Sequence, residues 1–405
     1  MKPLEIEYQR YLQMHLPRGQ STFLWGARKT GKSFYLKRHF PNSVYFDLLE
    51  TDLYFRYLKQ PHLFREEILA LDEKTLAHPI IVDEIQKIPI LLDEVHWLIE
   101  NTNAYFILCG SSARKLKREG INLLGGRAWR YEFFPLVYPE IPNFDLLHAL
   151  NFGLIPSHYH AKYWNKTAKA YVNDYLKEEI KAEGLVRNLA AFAQFLDVAA
   201  FSNGETLNYT NIARDCGIDS KTIKEYYQIL VDTLLGYYLM PYNNKTKRED
   251  LVATPKFYFF DVGVINRLTK RTLLQLKGIE AGNAFENFIL TQLWAYRGLN
   301  DLEFDIHFWR TNSGLEVDFI LGNAEVAIEV KISNQIKSSD IRGLIEFQSE
   351  YQPKLAIVVC TAERARKIPL ANGQSVQIMP WRQFLENLWN GQIVPKNPER
   401  VPDNN

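Results

Sequence analysis

The stretch GARKTGKS at residues 26–33 constrains this chain more than any other. It satisfies G-x-x-x-x-G-K-[ST], a pattern in which consecutive backbone amides cradle phosphate oxygens. Gly26 and Gly31 let the backbone turn tightly enough for those amides to point inward. Phe23, Leu24 and Trp25 precede the loop as a short apolar strand, and FYLKRH at 34–39 follows it in helical style. A helix starting near Lys32 adds the positive end of its dipole. The backbone of Gly26, Ala27, Arg28, Lys29, Thr30, Gly31, Lys32, Ser33 and Phe34 is therefore the candidate cradle for ATP. Lys32 is placed to reach the β- and γ-phosphates, and the Ser33 hydroxyl to ligate Mg2+. The bland alternative is a Gly-rich turn without a ligand, and the strand–loop–helix setting argues against it.

A second apolar run, PIIV at 79–82, ends in Asp83 and Glu84. Such runs suit strands buried on both faces of a parallel sheet. Asp83 at the strand end is positioned for the Mg2+ shell, and Glu84 for polarising an attacking water. Another run, AYFILC at 104–109, leads into Gly110, Ser111 and Ser112. A polar side chain there would meet the γ-phosphate or the water, and Ser111 is favoured over Ser112; a serine cap on an ordinary turn is the alternative. Arg127, after Gly125 and Gly126, is a candidate arginine finger acting on the transferring phosphoryl group, in cis or across a subunit boundary. The alternative is a surface arginine after a glycine turn. Residues 1–20 read as a lead-in helix ending near Pro17, residues 61–77 as helix, and residues 91–101 as amphipathic helix. Alternating strands and helices imply an α/β sheet with ligands at the strands' carboxyl ends.

The whole-chain figures limit what else is expected. The 405 residues suggest two or three domains. A formal net charge of +1 gives no global pull toward nucleic acid, so such a claim rests on local patches. Cys109, Cys216 and Cys360 lie far apart, which fits neither a disulfide framework nor a metal cluster and points to a reducing cytoplasm. No run of about 18 apolar residues exists, so no membrane partner is expected. The first residues, MKPLEIEY, lack the apolar centre of a signal peptide.

Several stretches resemble a family of prokaryotic AAA-type ATPases. They are VDEIQKIP at 82–89, LCGSSA at 108–113, LGGR at 124–127 and FPL at 134–136. YVNDYLKEEI at 171–180, PKFYFFDVG at 255–263 and GNAFE at 282–286 are similar to that family's C-terminal region of unknown function, the DUF4143 type. Cys109 departs from it, standing where small polar residues are common. The resemblance implies an α/β chain with an AAA+ P-loop parallel-sheet domain over 1–150 and a helical and winged-helix region over 151–275. A restriction-endonuclease-like α/β domain over 276–392 and a polar tail over 393–405 complete it. A homo-oligomeric ring with Arg127 acting in trans is also implied.

Residues 208–230 carry helix-turn-helix punctuation: Ile212 and Ala213 on a short helix, Gly217 at the turn, Asp219 or Ser220 as cap. Ile223, Tyr226, Tyr227 and Leu230 then fall at helical spacing. Ser220, Lys221, Thr222 and Lys224 would face DNA, with Lys245, Lys247 and Arg248 of the polar stretch 243–250 as a wing. A packing module is the alternative. Farther on, LEVDFIL at 315–321 and EVAIEVKI at 325–332 both alternate with period two around Gly322 and Asn323, a two-residue hairpin signal. Pairing Leu321 with Ala324 would put Asp318 opposite Ala327 and gather Glu316, Asp318, Glu329 and Lys331 on one face. Asp318, Glu329 and Lys331 resemble the PD-(D/E)XK nuclease pattern, with Val317 in place of the first proline. There, the two carboxylates would bind Mg2+ and Lys331 would activate water. Glu286 looks like the accessory acid, and Gln348 is a weaker supporting candidate. The alternatives are a salt-bridged sheet face, or an intact fold that does not cut. The expectation is a Mg2+-dependent ATPase coupled to DNA binding or processing. The competing expectation is an ATP-switched signalling or scaffold protein with an inactive binding module.

Overall fold

The computed structural model describes residues 8–112, 124–172, 186, 188–242, 252–370 and 373–397. The chain divides into two units, one of residues 1–136 with 232–235, the other of residues 137–231 with 236–405.

In the first unit the apolar runs become strands because their backbone groups pair on both sides while their side chains bury on both faces. β1 (Ser21–Trp25), β2 (Tyr45–Asp47), β3 (Ile80–Asp83), β4 (Phe106–Gly110) and β5 (Ala128–Glu132) form one sheet in the order β2-β3-β4-β1-β5. Every pairing is parallel. β1, β3 and β4 are buried along their whole length. Phe23, Val82, Phe106 and Leu108 share a core with Leu92, Val95 and Leu98 of the helix Leu91–Asn101. Because all five strands run the same way, the loops after β1, β3 and β4 open at one edge.

Two expectations change here. Residues 8–20 form no helix; Pro17 precedes a turn at Arg18 and Gly19, and the segment has no regular secondary structure. Arg10 fixes it by donating to the carbonyls of Thr30 (2.7 Å) and Phe134 (2.7 Å), while Leu12 is buried. The expected 61–77 helix is two pieces, His62–Leu69 and Glu73–Leu76. Asp72 starts the second piece by accepting from the Thr75 amide at 2.8 Å, a local bond that competes with helix continuation.

The second unit holds one mixed sheet. β6 (Gly236–Pro241), β7 (Lys256–Phe259), β8 (Ile306–Arg310), β9 (Glu316–Leu321), β10 (Val326–Lys331), β11 (Leu355–Cys360), β12 (Arg366–Pro369) and β13 (Ser375–Pro380) follow the order β12-β13-β11-β10-β9-β8-β6-β7. β6 and β7 pair antiparallel, and β6 joins β8 through Met240 and Pro241, so the β6–β7 hairpin and the C-terminal strands share a sheet. The helix-turn-helix is formed by Tyr209–Cys216 and Ser220–Asp232. Gly217 ends the first helix at φ 65°, and Asp219 Oδ1 accepts from the amides of Lys221 (3.0 Å) and Thr222 (2.9 Å). Ile223, Tyr226, Tyr227 and Leu230 are buried as their spacing predicts, whereas Ser220, Lys221 and Lys224 are exposed and Thr222 is half-buried. Lys245, Lys247 and Arg248 lie outside the described residues, as do residues 173–180 of the similarity motif and the tail from 398.

The β9–β10 hairpin differs from expectation by two positions. Leu321 pairs with Val326 and Phe319 with Ile328, leaving a four-residue loop in which Ala324 takes φ 60°. The Glu325 amide donates to the Leu321 carbonyl at 3.1 Å and closes that loop. An even shift preserves which side chains share a face, so Glu316, Asp318, Glu329 and Lys331 remain together.

Candidate functional site

The loop after β1 is held by its own backbone. Thr30 Oγ1 donates to the Ala27 carbonyl at 2.7 Å, and Gly31, at φ 100°, turns the chain into the helix Lys32–His39. Gly26 passes so close to β5's end that a Cβ there would lie 2.3 Å from the Phe133 carbonyl oxygen. Lys32 is buried, its Nζ donating to the carbonyls of Gly26 (2.6 Å) and Ala27 (3.1 Å). Phe34 is half exposed on the first helical turn, and Lys29 holds φ 64°.

Asp83, at the end of β3, sits directly across from Ser33. Ser33 Oγ donates to Asp83 Oδ2 at 2.6 Å, the Tyr45 hydroxyl donates to the same oxygen at 2.5 Å, and the Glu84 amide donates to Oδ1 at 3.1 Å. Burial, and then the Asp83 charge, hold the Tyr45 phenol far above its ordinary value, so it remains a donor. Ser33 and Asp83 thus fit a Mg2+ shell: a hydroxyl and an oriented carboxylate, already in contact, beside a phosphate-binding loop.

Glu84 is buried and adopts φ 60°, ψ 42°, a left-handed conformation costing roughly 1–3 kcal/mol in a non-glycine residue. Its Oε2 accepts a short hydrogen bond from Gln86 Nε2 and one from Ser111 Oγ at 3.4 Å, and Arg28 Nη2 stands 3.6 Å away. Gln86 Nε2 also reaches Ser111 Oγ at 3.1 Å. Gly110 makes room for this arrangement, because a Cβ there would lie 2.5 Å from Gln86 Oε1. Ser112 points elsewhere, donating to the Asp232 carbonyl at 3.3 Å. Tyr45 and Gln86 were missed in the sequence. Gln86 lay two residues beyond Glu84 in a quoted motif, whereas nothing local marked Tyr45.

Arg127 does not join this group. β5 begins opposite Ser21, at the start of β1, so Arg127 stands at the amino edge of the sheet. The loop leaves the carboxyl edge, roughly 15 Å away at ~3.3 Å per strand residue. Arg127 pairs there with Glu100.

In the second unit, Asp318 and Glu329 are both buried on adjacent strands. Asp318 Oδ2 accepts from the Val330 amide at 2.7 Å, and Lys331 Nζ lies 2.6 Å from Glu329 Oε1. Burial pushes the Glu329 carboxyl up to about 7, with Lys331 opposing, and burial beside Glu329 raises Asp318 as well. Glu286 comes from the long helix Ile279–Leu299 and accepts from the Tyr258 hydroxyl at 2.5 Å. Sequence reasoning missed Lys256, at the start of β7. Its Nζ is 2.5 Å from Glu316 Oε1 and 3.5 Å from Glu286 Oε1. Gln348 donates instead to the Ser375 carbonyl at 3.3 Å. Among the described residues no group of three or more His, Cys, Asp or Glu side chains is arranged to hold a metal ion.

Residues 18–142 match the model of a family described as an AAA domain, and residues 281–384 that of a domain of unknown function, DUF4143. Residues 143–275 match a further domain of unknown function, DUF8612. Among solved structures, a Walker-type ATPase of Pyrococcus abyssi is similar at 14% identity and a TM-score of 0.41, over 62% of this chain and 91% of that one. A Signal Transduction ATPase with Numerous Domains from Pyrococcus horikoshii, carrying a tetratricopeptide repeat sensor, is similar at 12% identity and a TM-score of 0.21. That match covers 70% of this chain and 45% of the other. No curated protein matches the chain. The chain carries a P-loop ATPase domain of the AAA type, followed at its C-terminal end by a DUF4143 region.

Proposed function

We propose that the chain hydrolyses ATP with Mg2+ at the site built from Lys32, Ser33, Asp83, Glu84 and Ser111. The observation that carries this reading is the meeting of Ser33 with Asp83 at 2.6 Å beside a buried Glu84. Backbone amides from Gly26 to Phe34 bind the phosphates. The Lys32 ammonium exchanges the Gly26 and Ala27 carbonyls for phosphate oxygens, a stronger pairing because both partners are charged. Ser33 and Asp83 are the residues that would hold Mg2+, which would supply charge neutralisation on the triphosphate. Glu84 polarises the water that attacks the γ-phosphorus and takes its proton, while Gln86 and Ser111 orient its carboxylate. Arg127, remote from its own loop, fits a role in a neighbouring subunit's site, as in a homo-oligomeric ring.

The test is steady-state ATP hydrolysis. Lys32→Ala and Glu84→Gln each lower kcat at least 100-fold, with Glu84→Gln still binding ATP. Unchanged turnover in either variant sinks the reading.

The helix-turn-helix supports DNA as the partner to which hydrolysis is coupled, since Ser220, Lys221 and Lys224 are exposed on its second helix. In that reading the C-terminal domain binds or processes DNA, with Asp318, Glu329 and Glu286 as metal ligands and Lys331 as the water-activating residue. A second reading makes the domain a binding module that does not cut, inside an ATP-switched signalling or scaffold protein. The pairing of Lys256 with Glu316 and Glu286 favours it. ATPase rates with duplex, branched and single-stranded DNA, and divalent-dependent cleavage in wild type against Asp318→Ala, separate the two. The three separate thiols, all buried and free, fit a cytoplasmic protein. Among the described residues no helix is long and apolar enough to cross a membrane.

A further inference from the structure

Lys256 is an internal cation rather than a surface lysine swept inward. Its side chain is 4% exposed. The backbone around it is held on two sides, by Leu239 of β6 and by a bridge to Thr206. The ammonium has Glu316 Oε1 at 2.5 Å, Glu286 Oε1 at 3.5 Å and the Tyr258 hydroxyl at 3.4 Å, and stands 5.3 Å from the centre of the Phe308 ring. Carboxylates on one side and an aromatic face on the other make a complete environment for a monovalent cation.

The neighbouring oxygens are engaged in the same way. Glu316 Oε2 has Arg310 Nη1 at 3.5 Å, Glu286 Oε1 also accepts from Tyr258, Glu329 Oε1 has Lys331, and Asp318 Oδ2 has the Val330 amide. Glu329 Oε2 is the carboxylate oxygen here that is buried without a hydrogen-bond partner among the described residues. A Mg2+ ion demands near-octahedral oxygens at about 2.0–2.1 Å. The acids here diverge toward separate protein donors, in keeping with the absence of a metal-holding group among the described residues.

We propose that the Lys256 ammonium, delivered by β7, takes the place of a divalent cation between Glu286 and Glu316, so that the C-terminal carboxylates form a metal-independent cluster. The cluster then ties the β6–β7 hairpin to β9 and to the helix Ile279–Leu299. This deepens the second reading and fails separately from it. A domain that binds metal at Asp318 yet cuts nothing overturns the inference and leaves that reading standing. Cleavage of DNA does the reverse if no metal sits at Asp318.

The experiment uses full-length, nucleotide-free protein and Mn2+ as the probe. Mn2+ uptake is counted by electron paramagnetic resonance in wild type and in Asp318→Asn, so that metal at the ATPase site cancels. Equal uptake is expected; one equivalent more in wild type overturns the proposal. The gain-of-binding arm uses Lys256→Met, which keeps the stem and removes the charge. Millimolar Mn2+ is expected to raise its Tm by several degrees, and not that of Lys256→Met combined with Glu316→Gln. A Lys256→Met melting curve indifferent to Mn2+ also overturns the proposal, because the vacated place would then not be a cation's. Should Lys256→Met not fold, the wild-type and Asp318→Asn comparison decides.

Discussion

Asp83 shows how one side chain's chemistry is assembled from residues far apart in the chain. Its Oδ2 receives hydroxyls from Ser33 and Tyr45, and Oδ1 receives the amide of Glu84. A hydrogen bond to a charged group contributes about 1.5–3 kcal/mol, so Tyr45 is a sizeable part of what aims this carboxylate. Tyr45→Phe removes the donor with little change in volume. We expect kcat to fall roughly tenfold, equivalent to about 1.4 kcal/mol, and the Mg2+ concentration for half-maximal rate to rise. An unchanged Mg2+ titration would show that Ser33 and the backbone aim Asp83 without help. The loop itself was legible because its chemistry is local: Gly26, Gly31, Lys32 and Ser33 act through adjacent backbone. Tyr45 was not legible, since its hydroxyl matters only where parallel pairing lays β2 beside β3.

At the scale of elements, alternation and apolar runs located most strands and helices. The helix Leu91–Asn101 and strands β9 and β10 stand where the pattern predicted them. The errors are informative. A lead-in helix was expected over residues 1–20, but residues 8–20 form none, and Arg10 reaches across to the carbonyls of Thr30 and Phe134 instead. The hairpin register slipped by two because Gly322 and Asn323 signal a tight turn, while Ala324 accepts a left-handed conformation and lengthens the loop. The helix Val262–Thr269 supplies a prediction of its own. Its cap, Asp261, is fully buried and accepts from the amides of Leu154 (2.6 Å) and Gly263 (3.0 Å). Burial pushes its carboxyl up to about 6 from 3.8, against the pull of those amides. The folded state therefore holds the proton more tightly than the unfolded one. The resulting stability is fully present below about pH 3.8 and is lost as pH rises through 6, by about 3 kcal/mol for a shift near two units. Urea unfolding of Asp261→Asn across pH 4–7 should lack this slope relative to wild type. A parallel pH dependence in the two proteins would assign the titration to another group.

At the scale of the molecule, a ligand that binds the folded state stabilises the part that binds it. ATP at 100 times its Kd adds about 2.7 kcal/mol. In Glu84→Gln, where turnover is blocked, ATP with Mg2+ should slow hydrogen exchange strongly at β1, β3 and β4 of the first unit. Protection absent from those strands would count against nucleotide binding at the loop after β1. By itself the sequence determined the parts that depend on near neighbours: the phosphate loop, the acids ending β3, the helix-turn-helix and the shared face of Glu316, Asp318, Glu329 and Lys331. Period and spacing act over a few residues, and backbone geometry converts them directly into structure. Only the tertiary structure decided that Tyr45 meets Asp83, that Gln86 meets Glu84 and Ser111, that Arg127 stands apart from them, and that Lys256 enters the carboxylate cluster. Sheet order brings those residues together or keeps them apart, and sheet order is settled by packing between segments whose separation along the chain leaves no local mark.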